Sequence, residues 1–242
     1  QVRQLPWREV TNPYAPCEVL AQEQVDTIIE TALELLAGQG MSFLDGASRD
    51  LLRNAGATVD GEVVRFDPDF VRETIAHAPA EFGLRARNPA HDLVIGGNRI
   101  VFSSVGGPAF CSDLDKGRRP GSYAEMCDYL KLVQSLHILH QEGGGAFEAL
   151  DLPATTRHLD LYLAQWRLLD KNCQAYALGR ERTVDAIEMA CIALDTDRDG
   201  LAQHPALLAI INTNSPMLLD VQMSEAVLEL AAAGQACCIT PF

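Results

Sequence analysis

The chain has 242 residues, 48% of them hydrophobic and 21% charged, an ordinary globular balance that argues against disorder. Nineteen Lys and Arg face 33 Asp and Glu, and the resulting charge of -14 disfavours non-specific binding to nucleic acid or to an anionic membrane. The seven cysteines are odd in number and scattered without a CxxC pair, so they read as reduced thiols with no zinc spacing behind them.

In chain order, Val25, Ile28, Ile29, Ala32, Leu35 and Leu36 recur at helical spacing, and Gly38 and Gly40 stop that helix. A short helix is predicted at about Ser48–Asn54 and a strand at Val63–Phe66. Asp67-Pro68 starts a further helix, with the carboxylate as cap and proline in the first turn. Two short strands are expected around a hairpin turn at Ile95–Asn98. Residues 1–99 thus read as a small α+β cap.

From residue 100 the pattern changes to strands alternating with helices. Strands are predicted at 100–105, 136–142, 172–178, 207–214 and 235–240. Leu159, Tyr162, Leu163, Trp166 and Leu169 stripe one intervening helix, and Gly234 ends another. Strands spaced by about the 30 residues of a βα unit imply parallel pairing. Residues 100–242 therefore read as βα units, and the apolar run Gln235–Phe242 as the fifth strand. A doubly wound sheet can stop there, whereas a (β/α)8 barrel needs three more strands.

Polar residues gather at the C-terminal ends of these strands, where α/β enzymes of both kinds keep their chemistry. Glu142 opens the run EGGG (Glu142–Gly145), which fits a roomy βα loop and matches neither GxGxxG nor a Walker loop. A solvated loop acid is an equal reading of Glu142. His137 and His140 fall on opposite faces of a strand and cannot share a metal. His140 is expected to be a packed histidine, facing the interior beside Glu142. Asn212 and Asn214 are unusual in a strand and put neutral hydrogen-bonding groups at its end, although Asn-Ser-Pro is also good turn chemistry. Gln174 and Tyr176 share a face, as do Cys238 and Thr240. With Phe110, Phe147 and Phe242, Tyr176 offers aromatic faces of the kind that hold quaternary ammonium ions. The basic cluster Lys116, Arg118 and Arg119 reads as a solvated turn before a helix capped by Ser122.

The order GRRPGSYAEMCDYLKLVQSL, DLPATTRHLDLYLAQWRLLDK, IINTNSPMLLD and AAAGQACCITPF resembles the trimethylamine methyltransferase (MttB-like) family, as does ELLAGQGMSFLDGASRDLLRNAGATVDGEVVRF nearer the N-terminus. The likeness runs over essentially the whole chain. It implies a (β/α)8 TIM barrel of which about five βα units are present, in a chain cut before its last three. It also implies transfer of a methyl group from trimethylamine, glycine betaine or a similar quaternary amine to the Co(I) of a cognate corrinoid protein. No cofactor is then expected on the chain itself, since the cobalamin rides on the partner. A cytoplasmic homo-oligomer is expected, with no nucleic-acid or membrane partner. The candidate substrate-binding residues are Glu142, Gln174, Tyr176, Asn212, Asn214, Thr240 and Phe242. Glu142 and Tyr176 are assigned to the cation and the amides to a polar tail. One alternative is a barrel lyase or aldolase using a Schiff-base lysine, for which Lys171 lies near a strand but at its N-terminal end. Another is a non-catalytic homologue that only binds a corrinoid protein.

Overall fold

A computed structural model describes residues 3–15, 17–107, 110–145 and 147–241. Phe242 and Ala146 lie outside the described residues. The first part of the chain comprises β1 (Val10–Thr11), α1 (Gln22–Gly38), β2 (Met41–Phe43), α2 (Gly46–Asn54), β3 (Thr58–Asp60), β4 (Val63–Arg65), α3 (Pro68–Ala76), β5 (Glu81–Leu84), β6 (Leu93–Gly96) and β7 (Arg99–Ile100). The second comprises β8 (Phe110–Asp113), β9 (Gly117–Pro120), α4 (Tyr123–Ser135), β10 (Gln141–Glu142), α5 (Arg157–Leu168), β11 (Asn172–Ala175), α6 (Gly179–Ala193), α7 (Arg198–Gln203), β12 (Leu208–Asn212), β13 (Leu218–Leu219), α8 (Val221–Ala232) and β14 (Ala236–Thr240).

The caps are where the sequence puts them. Asp67 accepts from the amides of Asp69 and Phe70 at the start of α3, and Ser122 and Glu125 cap α4 reciprocally. At α1 the capping position is Ala21, which has no side-chain acceptor; instead the Gln24 side chain accepts from its backbone N–H at 3.0 Å. The apolar stripe of α1 forms but is turned outward. Ile28 is 58% exposed, and Leu33 is the buried residue of that helix.

Strands β10, β11, β12 and β14 pair in parallel in that order, and Ser103 adds a parallel bridge to Gln141. The sheet is open: no closed barrel forms among the described residues. The expected strand at 100–105 divides, with Arg99–Ile100 pairing antiparallel to β1 and Ser103 alone joining the parallel sheet. Of the expected strand at 136–142 only its end pairs, because Leu136–Leu139 closes a turn (Leu139 N–H to Leu136 carbonyl, 3.1 Å). The turn at Gly97-Asn98 is present, but the strands flanking it pair elsewhere, β6 with β5 and β7 with β1. The basic cluster, read as a solvated turn, is an antiparallel hairpin of β8 and β9.

Register decides what faces what. Residues paired across a parallel sheet share a face. Gln141, Asn172, Gln174, Leu208, Ile210, Asn212, Ala236, Cys238 and Thr240 therefore lie on one side, and Glu142, Cys173, Ala175, Ala209 and Ile211 on the other. The second side is buried under α4, α5, α6 and α8, against Leu130, Val133, Leu161, Ile187 and Leu230. The first side is half-open from Gln174 onward. β13 leaves this sheet altogether and pairs in parallel with β2, so the loop after β12 becomes an edge of the N-terminal sheet.

His140 is packed, with Nδ1 accepting from the Phe102 N–H at 3.0 Å and Nε2 donating to the Arg8 carbonyl at 3.0 Å. It faces Trp7, not Glu142. Lys171 is buried, and its ammonium donates to the carbonyls of Val133 and Leu136 at 2.8 Å each, closing the C-terminus of α4. Burial lowers its pKa to about 8. The unfolded chain thus holds this proton to higher pH than the folded one, and the protein gains stability as pH rises from about 8 toward the ordinary lysine range. Lys171→Met removes this alkaline gain, about 1–3 kcal/mol, in urea unfolding compared at neutral and alkaline pH.

Candidate active site

The C-terminal ends of the parallel strands carry two groups of polar residues, separated by the sheet itself. Behind the sheet stands Glu142, fully buried. Its carboxylate folds back on its own loop, accepting from Gly144 N–H at 2.9 Å and Gly145 N–H at 2.7 Å. A third donor is Gln165 Nε2 of α5, at 2.8 Å. Burial pushes the Glu142 carboxyl above the usual carboxylate range, and the three N–H donors oppose that push without cancelling it. The side-chain oxygen of Gln165 is buried with no partner.

The glycines allow two loops to meet backbone to backbone. Gly107 N–H donates to the Gly145 carbonyl at 2.9 Å, and Gly143 N–H to Ser104 Oγ at 3.0 Å. A Cβ on Gly143 would run into the Ser104 carbonyl, and one on Gly145 into the Tyr176 hydroxyl. Gly144 and Gly145 also have φ of 87° and 89°, which L side chains rarely adopt.

Tyr176 lies just beyond β11. Its backbone N–H donates to the Tyr162 hydroxyl at 3.0 Å, and the two rings meet edge to face with centroids 5.9 Å apart. Burial and the charges of Glu148 and Glu142 hold its phenol protonated far above neutrality. Phe147 is buried beside Tyr129, with ring centroids 6.4 Å apart. Phe110 lies on the hairpin under the Arg118 guanidinium, 3.9 Å from the ring centre.

On the half-open face stand Gln174, Asn212 and Thr240. Asn212 and Thr240 are register partners, and the Thr240 hydroxyl donates to the Asn212 side-chain oxygen. Among the described residues the amide nitrogen of Asn212 has no hydrogen-bond partner. A Cβ on Gly144 would lie 3.5 Å from Gln174, so the glycine loop comes near this face too. Asn214 is exposed: its side chain accepts from Asp220 N–H at 3.1 Å and its backbone closes on Leu218. The structure thus brings Gln174, Asn212 and Thr240 to one face, puts Glu142 and Tyr176 against the glycine loop, and leaves Asn214 in a turn. Phe242 lies outside the described residues. Gln165, Tyr162 and Tyr129 surround this candidate site from α5 and α4, and on helices their polar groups are indistinguishable in sequence from ordinary packing. Among the described residues no group of three or more His, Cys, Asp or Glu could hold a metal ion, and no helix is long and apolar enough to cross a membrane.

An α/β protein with a buried acid under a glycine loop and neutral amides on an open sheet face is the class that these features define. The family model for trimethylamine methyltransferase (MTTB) matches residues 1–242, and the chain belongs to that family. It is 34% identical over 218 residues to a glycine betaine methyltransferase of Desulfitobacterium hafniense (strain Y51), covering 90% of this chain and 45% of the relative. It is 23% identical over 228 residues to a proline betaine:corrinoid methyltransferase of Eubacterium limosum, covering 89% of this chain and 46% of the relative. The chain spans about half the length of the curated relatives it matches.

Gly145→Ala meets both a forbidden φ and the Tyr176 hydroxyl. It should cost about 2 kcal/mol or more in denaturant unfolding, whereas Gly61→Ala, strained but with open space around it, should cost less.

Proposed function

We propose that the protein is a corrinoid-dependent methyltransferase, taking a methyl group from a quaternary amine of the glycine betaine kind and passing it to the Co(I) of a separate corrinoid protein. The observation that carries the reading is the half-open face of neutral hydrogen-bonding groups at the strand ends, in a member of this family. A betaine needs such a face. Its ammonium has no N–H to donate and is held by aromatic rings and negative charge, while its carboxylate is held by amide and hydroxyl donors. Gln174 and the Asn212 amide, which has no partner among the described residues and which Thr240 fixes, are assigned to the carboxylate. Tyr176 and Glu142 are assigned to the cation side, Glu142 acting through its field because its oxygens are occupied. Asn214 is assigned to the loop alone.

The (β/α)8 barrel is part of the same proposal. Parallel strands that neighbour one another in chain order, with helices on one face only, are the arrangement that a barrel continues around a circle. Residues 1–99 would be its cap and 100–242 its first five units. Co(I) carried by the partner supplies the nucleophile, so the work left to this chain is to orient the donor, exclude water and keep the strand ends accessible. The Schiff-base alternative is disfavoured by Lys171, whose amino group is spent on two carbonyls at the far end of its strand.

The test is to mix the protein with a Co(I) corrinoid protein from the same organism and with trimethylamine, glycine betaine, proline betaine or carnitine, following the cobalt absorbance. Conversion to methyl-Co(III) with a betaine is expected, and none with any donor would refute the reading. Gln174→Ala and Asn212→Ala should each raise KM for a betaine by about 10- to 100-fold. Asn214→Ala should leave it within about twofold.

A further inference from the structure

Glu142 is a buried acid without a counter-ion among the described residues. Its three partners are neutral N–H donors. The groups around it are acids or neutral. On β11 and just beyond are Cys173 and Tyr176, and on α4 is Tyr129, all of which feel its charge. On α5 is Gln165, and in the loop between β10 and α5 is Glu148, whose cation Arg157 is engaged with it at 2.7 Å. No lysine, arginine or histidine among the described residues contacts Glu142. A buried charge is ordinarily paired, and one that is not takes a proton instead.

The cavity around it suits both forms. When ionised, the carboxylate accepts from Gln165 Nε2. When protonated, it has an O–H to donate, and the partnerless oxygen of Gln165 becomes an acceptor once the amide turns over. The glycine loop that holds this acid reaches round the strand ends toward the half-open face: Gly144, whose N–H donates to Glu142, is placed so that a Cβ on it would lie 3.5 Å from Gln174.

We infer that Glu142 is the missing counter-charge for a cationic ligand, and that it releases its proton to solvent when the cation arrives at the sheet face beside the glycine loop. This rests on the methylated-amine reading and adds a proton to its binding equilibrium. A quaternary ammonium cannot itself exchange a proton at any pH, so a proton released on binding comes from the protein. Below the ionisation of Glu142 in the free protein, the carboxyl must be ionised for the cation to be held well. Affinity therefore rises with pH, by up to about tenfold per unit, and levels off once Glu142 is ionised without ligand.

The experiment is calorimetric titration with glycine betaine between about pH 5 and pH 9, in buffers of different protonation enthalpy, beside the uncharged-head isostere 3,3-dimethylbutanoate. Expected are release approaching one proton per betaine in the acid part of that range, a pH-dependent Kd for betaine, and neither effect for the isostere. Glu142→Gln should make betaine binding independent of pH. Should that variant fail to fold, Gln165→Leu removes one N–H donor from the carboxylate and should move the whole pH curve to the alkaline side. Betaine binding with no proton release and a flat Kd, or the same release with the isostere, overturns the inference and leaves the substrate reading standing. No binding of betaine or of any other methylated amine overturns both.

Discussion

Everything at the strand ends depends on one carboxylate denied water. Glu142 cannot be solvated, so the chain supplies its hydrogen bonds from the two following amides and from α5. Those bonds curl the glycine loop into a left-handed path and bring Gly145 against Gly107. They also clear the space that the Tyr176 hydroxyl occupies. Leaving a buried acceptor unpaired costs about 1–3 kcal/mol, more when it is charged. The loop geometry is thus enforced by electrostatics more than by the permissiveness of glycine. Glycine makes the path possible, and the acid makes it the path taken.

The same acid links scaffold to chemistry. Gln165 belongs to the helix layer that covers the back of the sheet, while Gly144 lies near Gln174 on its open side, where a Cβ on the glycine would stand 3.5 Å away. A shift of α5 is felt at the carboxylate, then at the loop, then at the face where the amides stand. Tyr162 repeats the connection one helical turn earlier on α5, through the Tyr176 backbone N–H. The two contacts set the depth of the loop relative to the strand ends.

The alternation of strands and helices after residue 100 was legible because buried parallel strands are apolar runs and their helices are striped. The caps at Asp67 and Ser122 were legible because their chemistry is local. What stayed hidden was register. Reading Glu142 as facing the interior was a matter of parity counted along one strand. The pairing of Gln141 with Asn172 and of Glu142 with Cys173 turns that acid to the helix side, and no single strand contains that information. Asn214 was a similar case: its apparent place on a strand dissolved once the chain turned at Ser215-Pro216 and its side chain closed on Asp220. The hairpin at Phe110–Pro120 escaped because its strands are rich in charge and glycine, which single-strand patterning scores as loop.

The pairing of β13 with β2 has a consequence for how the molecule is assembled. Ser42 lies near the beginning of the chain and Leu218 near its end, yet they share a strand ladder. β2, β3 and β4 can form a local antiparallel sheet as soon as they are synthesised, but that sheet keeps a bare edge until the segment after β12 exists to cover it. Closing so long a loop is slow, and slow closure leaves an edge open to the wrong strand. On a ribosome the N-terminal sheet would wait through the synthesis of three βα units and the strand of a fourth with one side unsealed, an interval open to misassembly.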